Sequence, residues 1–233
     1  MSQPLLLSWS GGKDAAWTLH VLRQSAEFTV VGLVTTVTEG YERIAMHGIR
    51  RDILHAQAEA VGLPVIEARL PQQADNATYE ACFADALAQA RETFPGLGHI
   101  AFGDLFLEDV KAYRDALCAR LGWTPVYPLF GRGTAELADA MLAGGLRAIL
   151  CCVDCTQLDA GFSGREFDQA LLADIPTNVD PCGEHGEFHT CVYAGPMFAT
   201  PLHLQRGETQ LRDGRFAYTE LLTSAEAATS ATR

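Results

Sequence analysis

The stretch "PLLLSWSGGKDAAWTLHVL", residues 4–22, decides how the rest of the chain is read. An apolar run from Leu5 to Trp9, suited to a buried strand, breaks into Ser10-Gly11-Gly12-Lys13-Asp14. Ala15, Leu19, Leu22 and Ala26 then recur at helical spacing. Glycines between a strand and a helix let the backbone come close to a ligand. The first amides of the helix and its dipole favour an anion, to which Lys13 adds positive charge. Phosphate is the natural guest. The loop is not a Walker A motif, because Leu7 stands where that motif requires glycine, and it is not G-x-G-x-x-G. The competing reading is a tight turn with Asp14 as cap and Lys13 in solvent. Lys13 and Lys111 are the chain's two lysines against fifteen arginines, so lysine is not the default surface cation here, and this favours phosphate.

Outward from this loop, strand-like and helical runs alternate. Thr29 to Val37 is a continuous β-branched run, as in a strand buried on both faces. A helical period through Ile49, Ile53, Ala56 and Ala60 ends at Gly62. A short strand at Pro64 to Ala68 and a helix with Tyr79, Phe83, Ala86 and Ala90 inward follow. "HIAFGD", residues 99–104, reads as a strand, and Leu105 to Leu121 as a helix. Short connections between alternating elements predict an α/β fold with a doubly wound parallel sheet. Past "TPVYPLF" a helix near Glu136 to Leu142 and a strand at Leu146 to Val153 lead into a Gly-, Pro- and Cys-rich region. Antiparallel strands with turns at Arg206-Gly207 and Asp213-Gly214 close the chain. We therefore expect a nucleotide-binding domain over 1–130, a smaller α+β lobe over 131–222 and a disordered tail over 223–233.

The 233 residues, 48% of them apolar, suffice for a substantial core. No apolar stretch approaches the roughly 20 residues of a membrane span, and the opening run does not fit a signal peptide. The formal charge of −12 argues against non-specific nucleic-acid binding. Seven cysteines do not form a secreted disulfide pattern, so a cytoplasmic location with reduced thiols is expected. Cys152 and Cys155 form one C-x-x-C, with Cys182, His185, His189 and Cys191 downstream. Without a clear second pair, small hydrophobes at a strand end are favoured over a zinc site.

Ser-Gly-Gly-Lys-Asp after a first strand resembles the pyrophosphate loop of the ATP pyrophosphatase superfamily. Together with "MHGIR" (46–50), "FGDLFLEDVKAYRDALCARLGWTPVYPLF" (102–130) and "DPCGEHGEFHT" (180–190), it resembles the diphthine–ammonia ligase (diphthamide synthase) family over residues 4–200. The resemblance implies an adenine nucleotide alpha hydrolase-like fold, ATP and Mg²⁺ as cofactors, and cleavage of ATP between its α and β phosphates to activate a carboxylate. An AMP-forming ligase would join that carboxylate to ammonia or another amine. Ser10, Gly11, Gly12, Lys13 and Asp14 would hold phosphates, with Asp14 also at Mg²⁺. Ala15 stands where the family loop commonly has Ser or Thr, and His189 where diphthamide-making members have Glu, so the chain looks closer to bacterial relatives. The extra C-terminal domains of the long eukaryotic members are not expected.

Glu184, Glu187 and His189 lie within six residues and would crowd their charges unless an amine, ammonia or a cation sat between them. They are the catalytic candidates beside Lys13, with Thr190 on the substrate side. The alternative is a polar surface turn. Gly103-Asp104 follows a strand's carboxyl end, where ligands of open sheets bind, although Asp104 also suits a helix cap. Arg114 fits a carboxylate or phosphate contact, or a helix-face ion pair. His47 precedes a helix in a stretch able to approach substrate, and adenine is placed near Val34 to Thr36, with Thr35 as the contact. Two other functions remain: a tRNA-thiolating relative using Cys152 and Cys155, against which the acidic balance counts, and an ATP sensor without catalysis, against which the acidic motif counts. A homo-oligomer is left open.

Overall fold

The apolar opening run becomes the middle strand of a sheet in the computed structural model, which describes residues 2–224. The elements of the first part are β1 (Gln3–Ser8), α1 (Lys13–Arg23), β2 (Phe28–Thr38), β3 (Arg43–Ile44), α2 (Arg51–Val61), β4 (Val65–Leu70), α3 (Asn76–Thr93), β5 (His99–Ala101), α4 (Glu108–Leu121) and β6 (Thr124–Val126). Then come α5 (Thr134–Ala143), β7 (Arg147–Asp154), α6 (Gln169–Asp174), β8 (Phe188–Ala194), β9 (Leu204–Arg212) and β10 (Phe216–Thr223). Among the described residues no helix is long and apolar enough to cross a membrane.

The parallel strands lie in the order β4-β2-β1-β5-β6, and β3 pairs antiparallel with the end of β2. Consecutive side chains of a strand face opposite ways, and both faces of β1 are apolar. Leu5 and Leu7 pack into one core with α1 and α2, whereas Leu6 packs into a second with Phe83, Ala86 and Leu87 of α3 and Leu117 of α4. Helices thus cover both faces, the doubly wound arrangement expected from the alternation. The chain winds outward from β1 through β2 to β4 and returns to β5 on the other side. The order reverses between β1 and β5, and such a switch point leaves a crevice at the strands' carboxyl ends. The loops 9–12 and 102–107 open there.

The second sheet is antiparallel, in the order β8-β7-β10-β9. Its inner face shares one continuous core with α1 and α2: Leu150, Cys191 and Val192 belong to the same cluster as Leu5 and Leu19. The layers run α3/α4, parallel sheet, α1/α2, antiparallel sheet.

Three details depart from the sequence reading. Arg206-Gly207 is not a turn, because β9 runs through it. The register shift between Thr219 and Leu221 marks a bulge there, with Gly207 against Glu220, and a glycine inside a strand signals a bulge as readily as a turn. Asp213 and Gly214, with φ of +53° and +63°, do form the β9–β10 turn. The helix expected from Leu105 begins at Glu108, leaving residues 105–107 outside it. Thr223 closes β10, and the expected tail beyond Ser224 lies outside the described residues.

Asp154, 2% exposed at the end of β7, ties this sheet together. It accepts hydrogen bonds from the Thr156 amide (3.0 Å) and hydroxyl (2.7 Å), and from Arg215 Nη2 on the β9–β10 turn (2.6 Å). The Arg215 guanidinium holds its carboxyl well below the ordinary range, against burial, with Thr156 assisting. We expect Asp154→Ala to lower stability by about 2–4 kcal/mol at pH 7 in denaturant titrations. A depressed carboxylate contributes stability above its unfolded pKa and loses it as pH falls through the folded one. The gap between wild type and variant should therefore hold above the ordinary value of 3.8 and narrow only below it.

Candidate active site

The glycine loop is shaped by what surrounds it. Gly11 has φ of +76°, and a Cβ there would lie 2.8 Å from both Gln57 Oε1 and Ile49 Cδ1, so no other residue fits. Its carbonyl accepts hydrogen bonds from the Val192 amide (2.9 Å) and Gln57 Nε2 (3.0 Å). The Gly12 amide reaches Ser10 Oγ at 3.3 Å. Gly12 is the N-cap of α1 and has no side chain to cap it, so the first helical amides need an outside acceptor. Thr190 of β8 supplies one, its hydroxyl accepting from the Lys13 amide at 3.0 Å.

Lys13 is not the solvated loop cation that an exposed phosphate ligand would be. Its side chain is 2% exposed. Nζ donates to Asp14 Oδ2 (2.9 Å) and to the Cys182 carbonyl, and lies 5.7 Å and 5.5 Å from the ring centroids of Phe167 and Phe188. Burial is the largest influence and works against the charge, but Asp14, Cys182 and Glu184 together outweigh it, so Lys13 stays protonated with its pKa raised. The other oxygen of Asp14, Oδ1, is buried and has no hydrogen-bond partner.

Lys13 and Asp14 line a cavity of about 210 Å³ at the switch point. Ser10, His47, Gly103, Asp104, Arg114, Glu184, His189 and Thr190 also face it, so residues far apart in sequence meet there. Gly103 allows a close approach: a Cβ would sit 3.0 Å from the Ala15 amide nitrogen of α1. Arg114 forms a two-pronged pair with Asp104 (2.5 and 3.2 Å) and stacks 4.3 Å over Phe102. Its charge is thereby committed to Asp104.

Glu184 Oε1 accepts from the amides of Leu105 (2.8 Å) and Phe106 (3.4 Å), the residues left outside α4. Burial pushes its pKa up to about 7, against the pull of the Leu105 amide, with Asp14 adding repulsion. His47 and His189 lie with ring centroids 4.4 Å apart. Burial holds both below the ordinary value, assisted at His47 by His189 and Lys13 and at His189 by Lys13; His189 falls to about 4. Both imidazoles are neutral at pH 7.

Two expected contacts are turned away from the cavity. Glu187 is 2% exposed, and both its oxygens are taken within its own loop, by the Asp180 amide (2.9 Å) and the His185 amide (2.9 Å). Thr35 lies on the buried sheet face between Leu33 and Val37, and its hydroxyl has no partner. Sequence reasoning missed Asp180, which accepts from the Cys182 amide (2.8 Å), the Glu184 amide (3.2 Å) and the Thr134 hydroxyl (2.6 Å). The Asp-Pro-Cys-Gly string was a legible signal, because aspartate before such a turn bonds the amide two residues on. Cys182 also faces the cavity, where burial pushes its thiol up to about 12. Cys152 and Cys155 do not line it. Among the described residues no group of three or more His, Cys, Asp or Glu is placed to hold a metal ion.

Residues 5–125 match the family described as diphthamide synthase N-terminal domain, and residues 134–220 the diphthamide synthase C-terminal domain. The chain belongs to the diphthamide synthase family. A curated relative, the diphthine–ammonia ligase of Schizosaccharomyces pombe, is 26% identical over 207 residues, covering 81% of this chain and 34% of the relative. The chain thus spans about a third of that protein's length.

The elevated Glu184 pKa has a measurable consequence. A carboxyl that binds its proton more tightly when folded favours the native state below its unfolded pKa, and that advantage is lost as pH rises through the folded value. Stability should therefore decline between about 4.5 and about 7 on account of Glu184. Glu184→Gln keeps an acceptor for the Leu105 amide and removes the titration. Denaturation midpoints at pH 5 and pH 8 should differ less in the variant than in the wild type. Identical differences would mean that Glu184 titrates ordinarily.

Proposed function

We propose that this member of the diphthamide synthase family is an ATP-dependent ligase joining a carboxylate to ammonia or another amine through an acyl-adenylate, with release of AMP and pyrophosphate. The observation that carries this reading is a glycine loop at the switch point of a doubly wound sheet, closed over by the acidic loop 180–187 of the second sheet. The name of the curated relative, diphthine–ammonia ligase, supports the amine half. We assign residues 1–130 to the nucleotide and 131–222 to the acceptor.

In the first step an oxygen of the substrate carboxylate attacks the α-phosphorus, and pyrophosphate leaves with the electrons of the broken bond. In the second, the amine attacks the acyl carbon, AMP leaves, and the nitrogen loses a proton. Catalysis of this kind rests on positioning and on charge placed where the transition state needs it. Ser10, Gly11, Gly12 and the start of α1 present amides and a hydroxyl to the phosphates. Lys13 adds a fixed charge next to them. Asp14 Oδ1, buried without a partner, is the acceptor that fits Mg²⁺ or a donor of the substrate. Glu184, with a pKa of about 7, matches the task of taking the amine's proton near neutral pH. The neutral rings of His47 and His189 admit an uncharged amine beside it without adding cationic repulsion. Thr190 holds the helix amide and can donate its own proton to a phosphate oxygen. Asp104 and Arg114 act as a pair in shaping the wall, and the backbone of β2 around Thr35 is the stretch assigned to adenine. Glu187 serves by bracing the loop that presents Glu184.

Incubation with ATP, Mg²⁺, ammonium and a panel of carboxylates should yield AMP and pyrophosphate in equal amounts. Formation of ADP instead, or no nucleotide cleavage with any acceptor, would overturn the reading. Lys13→Ala should weaken ATP binding by roughly tenfold or more, because it leaves Asp14 uncompensated beside the phosphates and releases the Cys182 carbonyl that holds the loop 180–187. Because the side chain is buried, the variant should also melt at a lower temperature. Lys111→Ala, which removes a surface partner of Asp115, should change neither ATP affinity nor turnover.

A further inference from the structure

Gln57 is the polar member of the buried face of α2 and is 0% exposed. Its side chain makes three hydrogen bonds to nitrogen and oxygen atoms of other segments, and a longer one from Nε2 to Cys191 Sγ at 3.8 Å. Oε1 accepts from Trp9 Nε1 at 3.0 Å, while Nε2 donates to the carbonyls of Gly11 (3.0 Å) and Val192 (2.7 Å). Because the indole only donates, the amide has one consistent orientation. The helix α2 therefore reaches under the glycine loop and ties it to β8.

The tie has a directional consequence. In a planar trans peptide the carbonyl of one residue and the amide of the next point opposite ways. The Gly11 carbonyl is held in the core by two donors, Gln57 Nε2 and the Val192 amide. The Gly12 amide is thereby aimed outward, toward Ser10, which lines the cavity. Glycine peptides turn over easily, since neither sign of φ is sterically barred. Gly11 at φ of +76° needs something to hold it. Filling the space alone would not require an amide, because a buried polar side chain is costly unless every bond is made.

We propose that Gln57 is a positioning residue that locks the Gly11–Gly12 peptide with the Gly12 amide facing the anion in the loop. This rests on the reading of the loop as a phosphate site. Gln57→Met retains the volume and deletes both donors. The expected result is at least tenfold weaker binding of inorganic pyrophosphate and of ATP by calorimetry, with a displaced Gly12 amide resonance in the ligand-free protein. Unchanged affinities together with an unmoved Gly12 resonance overturn the proposal, even if the melting temperature falls, since a merely structural role lowers only that. Should Gln57→Met fail to fold, Gln57→Glu serves. Its pyrophosphate affinity, relative to wild type at each pH, should be reduced at pH 8 and recover toward acid as the carboxyl proton restores one donor. Wild-type affinity throughout overturns the proposal. If the wild type binds neither anion, the phosphate reading falls and the anion half of the proposal with it. A displaced Gly12 resonance in the variant then still supports the hold on the peptide, and an unmoved one removes that as well.

Discussion

The ammonium of Lys13 is the point on which both sheets bear. It sits at the first turn of α1, under the parallel sheet's switch point, with its charge answered by Asp14 from its own helix and by the Cys182 carbonyl from the loop 180–187. An ammonium removed from water to this extent is tolerated only if its donors are met and a counter-charge is close. That requirement fixes the acidic loop against the start of α1. Asp180 and Glu187 then matter because they hold the loop in the shape that presents the Cys182 carbonyl inward and Glu184 to the cavity.

Charge in the cavity is nearly cancelled before any ligand arrives. Lys13 and Arg114 are the two permanent cations among its lining residues, and each is paired at hydrogen-bond distance, with Asp14 and with Asp104. Burial keeps His47 and His189 neutral, and it raises Glu184 so that part of its population carries a proton at pH 7. An anionic guest therefore meets little free cationic side-chain charge. What it meets are backbone amides of the loop and the N-terminus of α1, whose dipole is fixed by the fold. The orientation of individual peptides is then decisive for binding, more than the count of basic residues. In a chain of formal net charge −12 this is also how an anion can be held without a basic patch.

The parallel half was legible because its signals are local. Leu5–Trp9, the glycine loop and the helical period after it fall within one window, and alternating strands and helices leave few topologies. The meeting of loop 10–14 with 102–104 was legible for the same reason, since the carboxyl ends of neighbouring strands gather at a switch point. The antiparallel half was read poorly. Phe188–Ala194 lies in a Gly- and Cys-rich stretch with no clean alternation, because five of the seven residues of β8 are buried. Burial was not legible from charge. Lys13 lines the cavity but is sealed by Asp14 and the Cys182 carbonyl, and Glu187 by two amides of its own loop. Gln57 gave no signal. A glutamine within a helical run is ordinarily a surface residue, and only the packing of Trp9, Gly11 and Val192 around it shows otherwise.

The two family matches, 5–125 and 134–220, divide the chain between the sheets, but the chemistry does not divide there. Without β8, the Lys13 amide loses the Thr190 hydroxyl, the Gly11 carbonyl loses the Val192 amide, and Gln57 loses one of its two carbonyl acceptors. Each buried polar group left unmatched costs about 1–3 kcal/mol, and the exposed side of α1 would add apolar surface to that. The glycine loop is therefore not a finished anion site carried by the first sheet and merely covered by the second. Its helix cap, a carbonyl partner of its buried cation and one of the two donors that set its flexible peptide all come from across the interface. A site completed in this way links the geometry at the phosphates to the loop that would meet the acceptor, so that movement of 180–187 cannot leave the loop at 10–14 unchanged.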